Sequence, residues 1–301
     1  MLWFGIALLG YFFLALTFIL DKIILTKSVG KPIVYTFYST IFMFGVLLAV
    51  PFGVELLQGV DWCWAIVSGM AFGFGLWTLY KAVKSGEASH INPFNGAVVT
   101  IVTYALSSYF LLEKITGLQL AGIGVLIFAS LLLSFEKSKK HSGFHMGFVL
   151  AIISGVFFAI SHVSAKYLYE LYPFFTGFIW TRATTGLVGL SALLSPAVWK
   201  TFGRGKVKKK SKNKKHTIFL VVSAKMLGVL AVLLIQYAMA IGSVSLVIAL
   251  SGLQYALMFL LIIIFTKFAP KLFKEYFTKR ELVVEWVAIL LVIVGSALFV
   301  L

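Results

Sequence analysis

Residues 86–96 read GEASHINPFNG, and residues 242–252 read GSVSLVIALSG. Each stretch opens on glycine, carries serine at its fourth position and closes on glycine, and the two lie 156 residues apart. Ala82 pairs with Ala238 at the same spacing. At a spacing of 144, Ala7, Ala15, Thr17 and Lys22 pair with Ala151, Ala159, Ser161 and Lys166. At a spacing of 166, IFAS (127–130) meets IVGS (293–296). The spacing changes only across KTFGRGKVKKKSKNKK (200–215) and TKFAPKLFKEYFTKRE (266–281). An ordered series of matches whose offset shifts only at loops marks a duplicated unit, with halves at 1–140 and 141–301. One copy of the glycine–serine stretch is studded with Asn and His, while the other is nearly all aliphatic.

Composition sets the solvent of this duplicated unit. Of 301 residues, 61% are hydrophobic and 12% charged, and mean hydropathy is +1.02. Soluble domains carry about 45–50% apolar and about 25% charged residues. Crossing a bilayer takes about 20 apolar residues in a helix. Ten such runs are expected, near 2–20, 33–51, 62–80, 92–112, 117–135, 146–165, 174–196, 217–240, 244–266 and 283–301. The short alternating segments of a β-barrel are missing. The fold class is therefore an all-α membrane protein of ten transmembrane helices. The opening MLWFGIALLGYFF lacks the basic flank and cleavage site of a secretory signal and reads as a retained first span.

Five spans per half is an odd number, so the second copy enters the membrane upside down. Inverted repeats characterise secondary transporters, with the substrate site near the midplane between repeats. Lys and Arg report the orientation. The odd-numbered connections hold 22 of the 26, and the even ones hold Lys114 and Lys166. Basic loops stay on the cytoplasmic side, so the odd loops are expected in the cytoplasm of a cell membrane and both termini outside. The tract 200–215 is read as a cytoplasmic loop touching anionic lipid headgroups, not nucleic acid.

FLLEKITGLQLAGIGVLIFASLLL (110–133) resembles the end of the repeat found in EamA-like transporters of the drug/metabolite transporter superfamily. IWTRATTGLVGL (179–190) is similar to the family's second-helix pattern, and Gly86–Ser89 and Gly242–Ser245 fit its turn between third and fourth helices. The resemblance implies two inverted five-helix units around a central cavity and a carrier, commonly an exporter, of small metabolites. Two departures stand out. Arg182 has its first-half counterpart near Thr40, and Glu113 has none in the second half. The first span, Leu2–Leu20, holds no acid, so a proton-exchange glutamate there cannot be carried over.

Charge inside a membrane is costly and points to function. Arg182 sits near the middle of its span, where a guanidinium meets a carboxylate or phosphate or holds helix carbonyls as glue. Lys225 lies nearer a span end, within snorkelling reach. On the fourth span Asn92, Asn95, Val99 and Thr103 share one helical stripe, thinned by Gly96, with Pro93 expected in the first turn. The matching stripe is Ile248, Ser251, Tyr255 and Phe259, flanked by Gln254. The expected substrate-binding set is Asn92, Asn95, Thr103, Arg182, Ser251, Gln254 and Tyr255, with the two stripes facing each other across a midplane cavity. Ser154 and Ser161, with His162 at their edge, read as interhelical glue, and Trp77 and Tyr80 as an interfacial belt.

No nucleophile–base pair or paired carboxylate appears at catalytic spacing, so an enzyme is not expected. Cys63 alone excludes an internal disulfide or cysteine metal cluster, His141 and His145 read as solvated linker residues, and no cofactor or metal is implied. The partners expected are a small-molecule substrate and membrane lipid. The substrate, on this reading, is small, polar, and anionic or zwitterionic. A lipid or glycolipid flippase on the same fold is the rival reading, and a channel a further one. Oligomeric state leaves no trace in the sequence.

Topology is checked by labelling. In a variant lacking Cys63, a cysteine at Lys210 is expected to resist an impermeant thiol reagent applied outside intact cells. A cysteine replacing Lys114 is expected to react.

Overall fold

The computed structural model describes residues 2–27, 31–85, 88–134, 146–202, 214–268 and 279–300. Outside these lie most of the basic tract, the His141–His145 linker, Gly86 and Glu87 of the first glycine–serine stretch, and most of the 266–281 insert. Every regular element among the described residues is helical: α1 (Leu2–Lys27), α2 (Pro32–Ile41), a 3-10 segment (Phe42–Phe52), α3 (Asp61–Ser85), α4 (Ala88–Phe110), α5 (Gly117–Ser134), α6 (Met146–Leu171), α7 (Phe174–Ala192), α8 (Pro196–Phe202), α9 (Lys214–Ile241), α10 (Val244–Ala249), α11 (Ser251–Phe268) and α12 (Lys279–Ala297).

Among the described residues seven stretches are long and apolar enough to cross a membrane: Leu2–Leu20, Pro32–Phe52, Asp61–Ser85, Gly117–Ser134, Met146–Leu171, Val222–Ile241 and Val244–Leu261. Val283–Ala297 is apolar but shorter. The difference from ten has a physical reason. α4 carries Asn92, Asn95 and Thr103, and α7 carries Arg182 and four threonines; these polar residues lower the mean hydropathy of both helices. α11, which bears Ser251, Gln254 and Tyr255, remains apolar enough to cross within Val244–Leu261.

Burial is inverted relative to a water-soluble core. Large apolar side chains such as Phe42, Leu48, Ile101, Phe128 and Leu290 are exposed, while Ser68, Ser107, Ser161, Thr36, Thr40 and Thr181 are buried. Lipid tails are as apolar as leucine, so burying leucine gives no driving force between helices. Close backbone approach and interhelical hydrogen bonds act instead. Ser154 Oγ donates to the Gly75 carbonyl (2.9 Å), and Ser68 Oγ to the Ser161 carbonyl (2.9 Å), tying α3 to α6. Thr184 Oγ1 donates to the Ala65 carbonyl (2.7 Å), tying α7 to α3.

Two of the principal helix pairs have counterparts under exchange of the sequence halves, whereas α3 on α7 is not matched by a comparable packing of α9 on α2. α3 packs on α6, and α9 on α1; α4 packs on α6, and α11 on α1. Three further pairs, α2 with α7, α5 with α12 and α4 with α10, close the bundle. Gly122 and Gly295 let α5 and α12 meet backbone to backbone, since a Cβ at Gly122 would stand 2.8 Å from the Gly295 carbonyl oxygen.

Three local readings are corrected. The second span is α-helical only to Ile41 and continues to Phe52 as a 3-10 segment. It buries none of its residues and holds Pro51, and Gly53 ends it at φ 91°. The ninth span is broken at Leu250 into α10 and α11. Pro93 is not in the first turn, because α4 begins at Ala88 and the proline falls inside the helix.

Close approach makes a stability prediction. A Cβ at Gly69 would overlap Thr184 Oγ1 and come within 2.5 Å of the Thr185 backbone nitrogen, whereas one at Gly5 meets nothing within 4 Å. Gly69→Ala is expected to cost about 1–3 kcal/mol, read as a lower thermal unfolding midpoint in detergent. Gly5→Ala is expected to leave the midpoint unchanged or slightly raised.

Candidate functional site

Two polar groups lie inside the bundle. The first is built by α4, α10 and α11. Asn92, Asn95, Val99 and Thr103 are all buried, as their spacing along one face of α4 requires. Asn95 Nδ2 donates to the Ala151 carbonyl of α6 (2.8 Å), so this amide joins two helices. Tyr255 lies over Gly96: a Cβ there would come within 2.6 Å of the phenol ring. The stripes of α4 and α11 therefore touch at Gly96–Tyr255 in this conformation. Asn92 Oδ1, Thr103 Oγ1, Ser251 Oγ and Gln254 Nε2 are buried without a hydrogen-bond partner.

The backbone is interrupted on both helices. Pro93 has no N–H to give the carbonyl four residues earlier. Between α10 and α11 the ladder tightens, with Leu253 N bonding to the Leu250 carbonyl (2.9 Å), one residue short of the α-helical step. At the spacing of 156, Pro93 corresponds to Ala249, the last residue of α10. The two interruptions thus lie 156 residues apart, the spacing of the two glycine–serine stretches. Tyr11 Oη donates to the Val247 carbonyl (2.8 Å), bracing α10 just before its break.

The second group surrounds Arg182. This residue is 1% exposed, and its guanidinium carbon stands 4.2 Å above the Phe72 ring and 6.0 Å from that of Phe178. Its Nε and both terminal nitrogens have no hydrogen-bond acceptor. Tyr169 Oη donates to Gln236 Oε1 (2.7 Å), which orients the amide so that Nε2 faces His162 Nδ1 (3.3 Å). Amide nitrogen can only donate, so Nδ1 accepts and the imidazole proton lies on Nε2. Arg182 acts electrostatically on both His162 and Tyr169. Phe72, which faces Arg182, belongs to the same apolar cluster as Val99 of the α4 stripe.

The expected residues therefore divide in two. Asn92, Asn95 and Thr103 lie on α4 and Ser251, Gln254 and Tyr255 on α11, two helices that meet at Gly96–Tyr255, and Arg182 lies on α7. Sequence reading missed Phe72, Tyr169 and Gln236 as companions of Arg182. Gln236 carried the one usable signal, an uncharged amide deep in an apolar run.

Polar groups near the helix ends have other partners. Lys166 Nζ donates to the carbonyls of Gly242 (3.0 Å) and Ala240 (3.3 Å) and pairs with Glu170 (3.5 Å). Ser245 Oγ donates to Glu113 (2.5 Å) and bonds Ser107 Oγ (2.6 Å), so Glu113 of the first half clasps the serine of the second-half turn. Lys225 Nζ donates to Tyr35 Oη and Ser39 Oγ (both 3.2 Å), reaching from α9 across to α2. At the other end Tyr172 Oη donates to Asp61 (2.6 Å), and this bond raises the phenol's pKa above its ordinary value.

Gln236→Leu leaves the Tyr169 hydroxyl and His162 Nδ1 without partners. A loss of about 1–3 kcal/mol follows, measured as a drop in the detergent unfolding midpoint. Substituting the partly exposed Tyr237 with Leu is expected to be milder.

Comparison with known proteins agrees with this architecture. Twenty-eight solved chains match. One crystal structure superposes over 99% of this chain and 94% of its own with a TM-score of 0.66, at 18% identity; such a likeness shows the fold alone. No curated protein matches the sequence. Residues 1–135 match the model of the EamA-like transporter family. The chain is thus a multi-pass membrane protein, helical in every regular element of its described residues, whose residues 1–135 are similar to the EamA-like transporter family.

Proposed function

We propose that this protein is a secondary transporter moving a small anionic or zwitterionic metabolite out of the cell by alternating access. In this reading residues 1–140 and 141–301 form inverted five-helix repeats of ten spans in all. The odd loops face the cytoplasm of the cell membrane. The exchange of helix pairs supports the repeat, because swapping the halves turns α3–α6 into α9–α1 and α4–α6 into α11–α1.

The observation that carries the substrate class is Arg182. A buried charge without a partner costs several kcal/mol after relaxation, and a cation–π contact returns about 2 kcal/mol when desolvated. The Phe72 face offsets only part of the cost. A substrate carboxylate or phosphate would supply the missing acceptors in the bidentate geometry a guanidinium favours. Asn92, Thr103, Ser251 and Gln254 offer neutral hydrogen bonds to the remainder of a polar molecule, with Asn95 and Tyr255 beside them. Interrupted helices at matching points of two repeats mark the binding region in transporters of this architecture. Parting the Tyr255–Gly96 contact would open the space between the stripes.

The test compares intracellular and extracellular metabolites of cells with and without the protein, then measures uptake into vesicles. Asn95→Ala is expected to weaken transport in a folded, inserted protein. Arg182→Lys is expected to raise KM by about tenfold or more, on the scale of lost charged hydrogen bonds. Arg182→Ala is expected to lose preference for anionic over neutral analogues. Lowered thermal stability with unchanged selectivity would make the arginine structural glue. Translocation of a labelled lipid, with no small metabolite moved, would establish a flippase instead.

A further inference from the structure

A groove of about 810 Å³ opens among α2, α3, α6 and α7, away from both polar groups. Its walls are apolar, from Ile33, Phe74, Leu150 and Val188, and Lys31, Lys81 and Lys84 stand at its α2–α3 end. No acid is among its described lining residues. Lys81 Nζ sits 3.6 Å from the centre of the Trp77 ring, and the Trp77 indole N–H is buried without an acceptor. The aromatic pair expected as an interfacial belt is thus divided: Trp77 lines this groove, and Tyr80 turns to Ser39 of α2 (3.4 Å).

Lys31 precedes the first residue of α2, whose first turn has no acid. Lys84 lies in the last turn of α3, where a cation offsets that helix's negative end. Lys81, a turn earlier, and Lys31, on another helix, are not called for by that offset.

We propose that this groove is a binding site for one anionic phospholipid, with its phosphate on Lys31, Lys81 and Lys84 and the start of its acyl chains along Phe74, Leu150 and Val188. Three observations select an amphiphile over a small ion. The charge is confined to one end and the depth is apolar. The volume falls in the range that holds drug-sized molecules. The lysines also lie at the span ends assigned to the cytoplasmic leaflet, where anionic headgroups gather. The site is independent of the transported substrate, so transport could fail as proposed and the lipid still bind.

Native mass spectrometry of the full chain in mild detergent tests this, with phosphatidylglycerol, phosphatidylcholine or inorganic phosphate added separately. One phosphatidylglycerol is expected to be retained in preference to phosphatidylcholine. Its affinity is expected to fall about fivefold for each of Lys31→Gln, Lys81→Gln and Lys84→Gln. Leu150→Trp, at a half-buried position of the groove wall, adds bulk there and keeps the lysines; it is expected to abolish retention, and an unchanged unfolding midpoint would show that the fold survives. Neutralising Lys208, Lys209 and Lys210 in the basic tract is expected to leave this lipid bound. Lysine-dependent binding of inorganic phosphate without lipid selectivity would overturn the lipid assignment and leave a soluble phosphate site. Equal retention of both lipids, or retention indifferent to the lysines and to Leu150→Trp, would overturn the site altogether.

Discussion

A bilayer interior offers no hydrogen-bond partner, so each polar group carried into it must be met by another part of the chain. The close helix contacts follow from this. Gly69, Gly73 and Gly75 thin α3 where Thr184, Val188 and Phe158 press against it, and at that distance Ser68, Ser154 and Thr184 reach carbonyls on the neighbouring helix. Small residues and short hydroxyls are therefore one device: the first permits the approach, and the second holds it. Many of the larger apolar side chains, which gain nothing by leaving lipid, turn outward.

Against that background the exceptions carry information. Six residues have buried polar atoms that no described group meets, namely Trp77, Asn92, Thr103, Arg182, Ser251 and Gln254. Five of them were singled out from sequence as substrate-binding. Serines with a structural task found their carbonyls, and Lys166 and Lys225 found acceptors near the helix ends. Arg182 did not, although its guanidinium has five donors and its helix is tightly packed. Its neighbours Tyr169, Gln236 and His162 satisfy one another in a chain of hydrogen bonds. That chain fixes the wall beside the guanidinium without using its donors.

The helical class and most span limits were legible in the sequence because lipid leaves a strong signal, long apolar runs bounded by charge. Arg182 was legible for the opposite reason, as a charge where none is affordable. The break at Leu250 was not, since SLVIALSGL reads as a continuous apolar helix and no proline marks it. Pro93 misled because the helix starts upstream, among polar residues that resemble a loop. The 3-10 segment after Ile41 was hidden too: exposure recurs every third residue, at Phe42, Gly45, Leu48 and Pro51, but the run is apolar throughout and its sequence carries no such period. The companions of Arg182 come from three other helices, α3, α6 and α9, and a single sequence does not record which helices meet.

The unequal copies of the glycine–serine stretch have a physical account in the two interruptions. In the first copy proline removes one backbone bond inside α4, and Asn92 beside it brings an amide to the same level. In the second copy the ladder tightens between Ala249 and Ser251, and the helix resumes on a serine whose hydroxyl is buried and unpartnered. Both copies therefore expose backbone and side-chain polarity at one place along the bundle. They do so with different atoms: a carbonyl freed by proline and two asparagines on one side, a hydroxyl and a glutamine on the other. Unequal residues 156 positions apart thus supply an unequal set of donors and acceptors. The aliphatic stretch has a packing role as well: Val244, Val247, Ile248 and Leu250 are buried in the main apolar cluster with Tyr11 and Met239, which holds α10 in place up to the break. A polar sequence there would have traded that packing for hydrogen bonds.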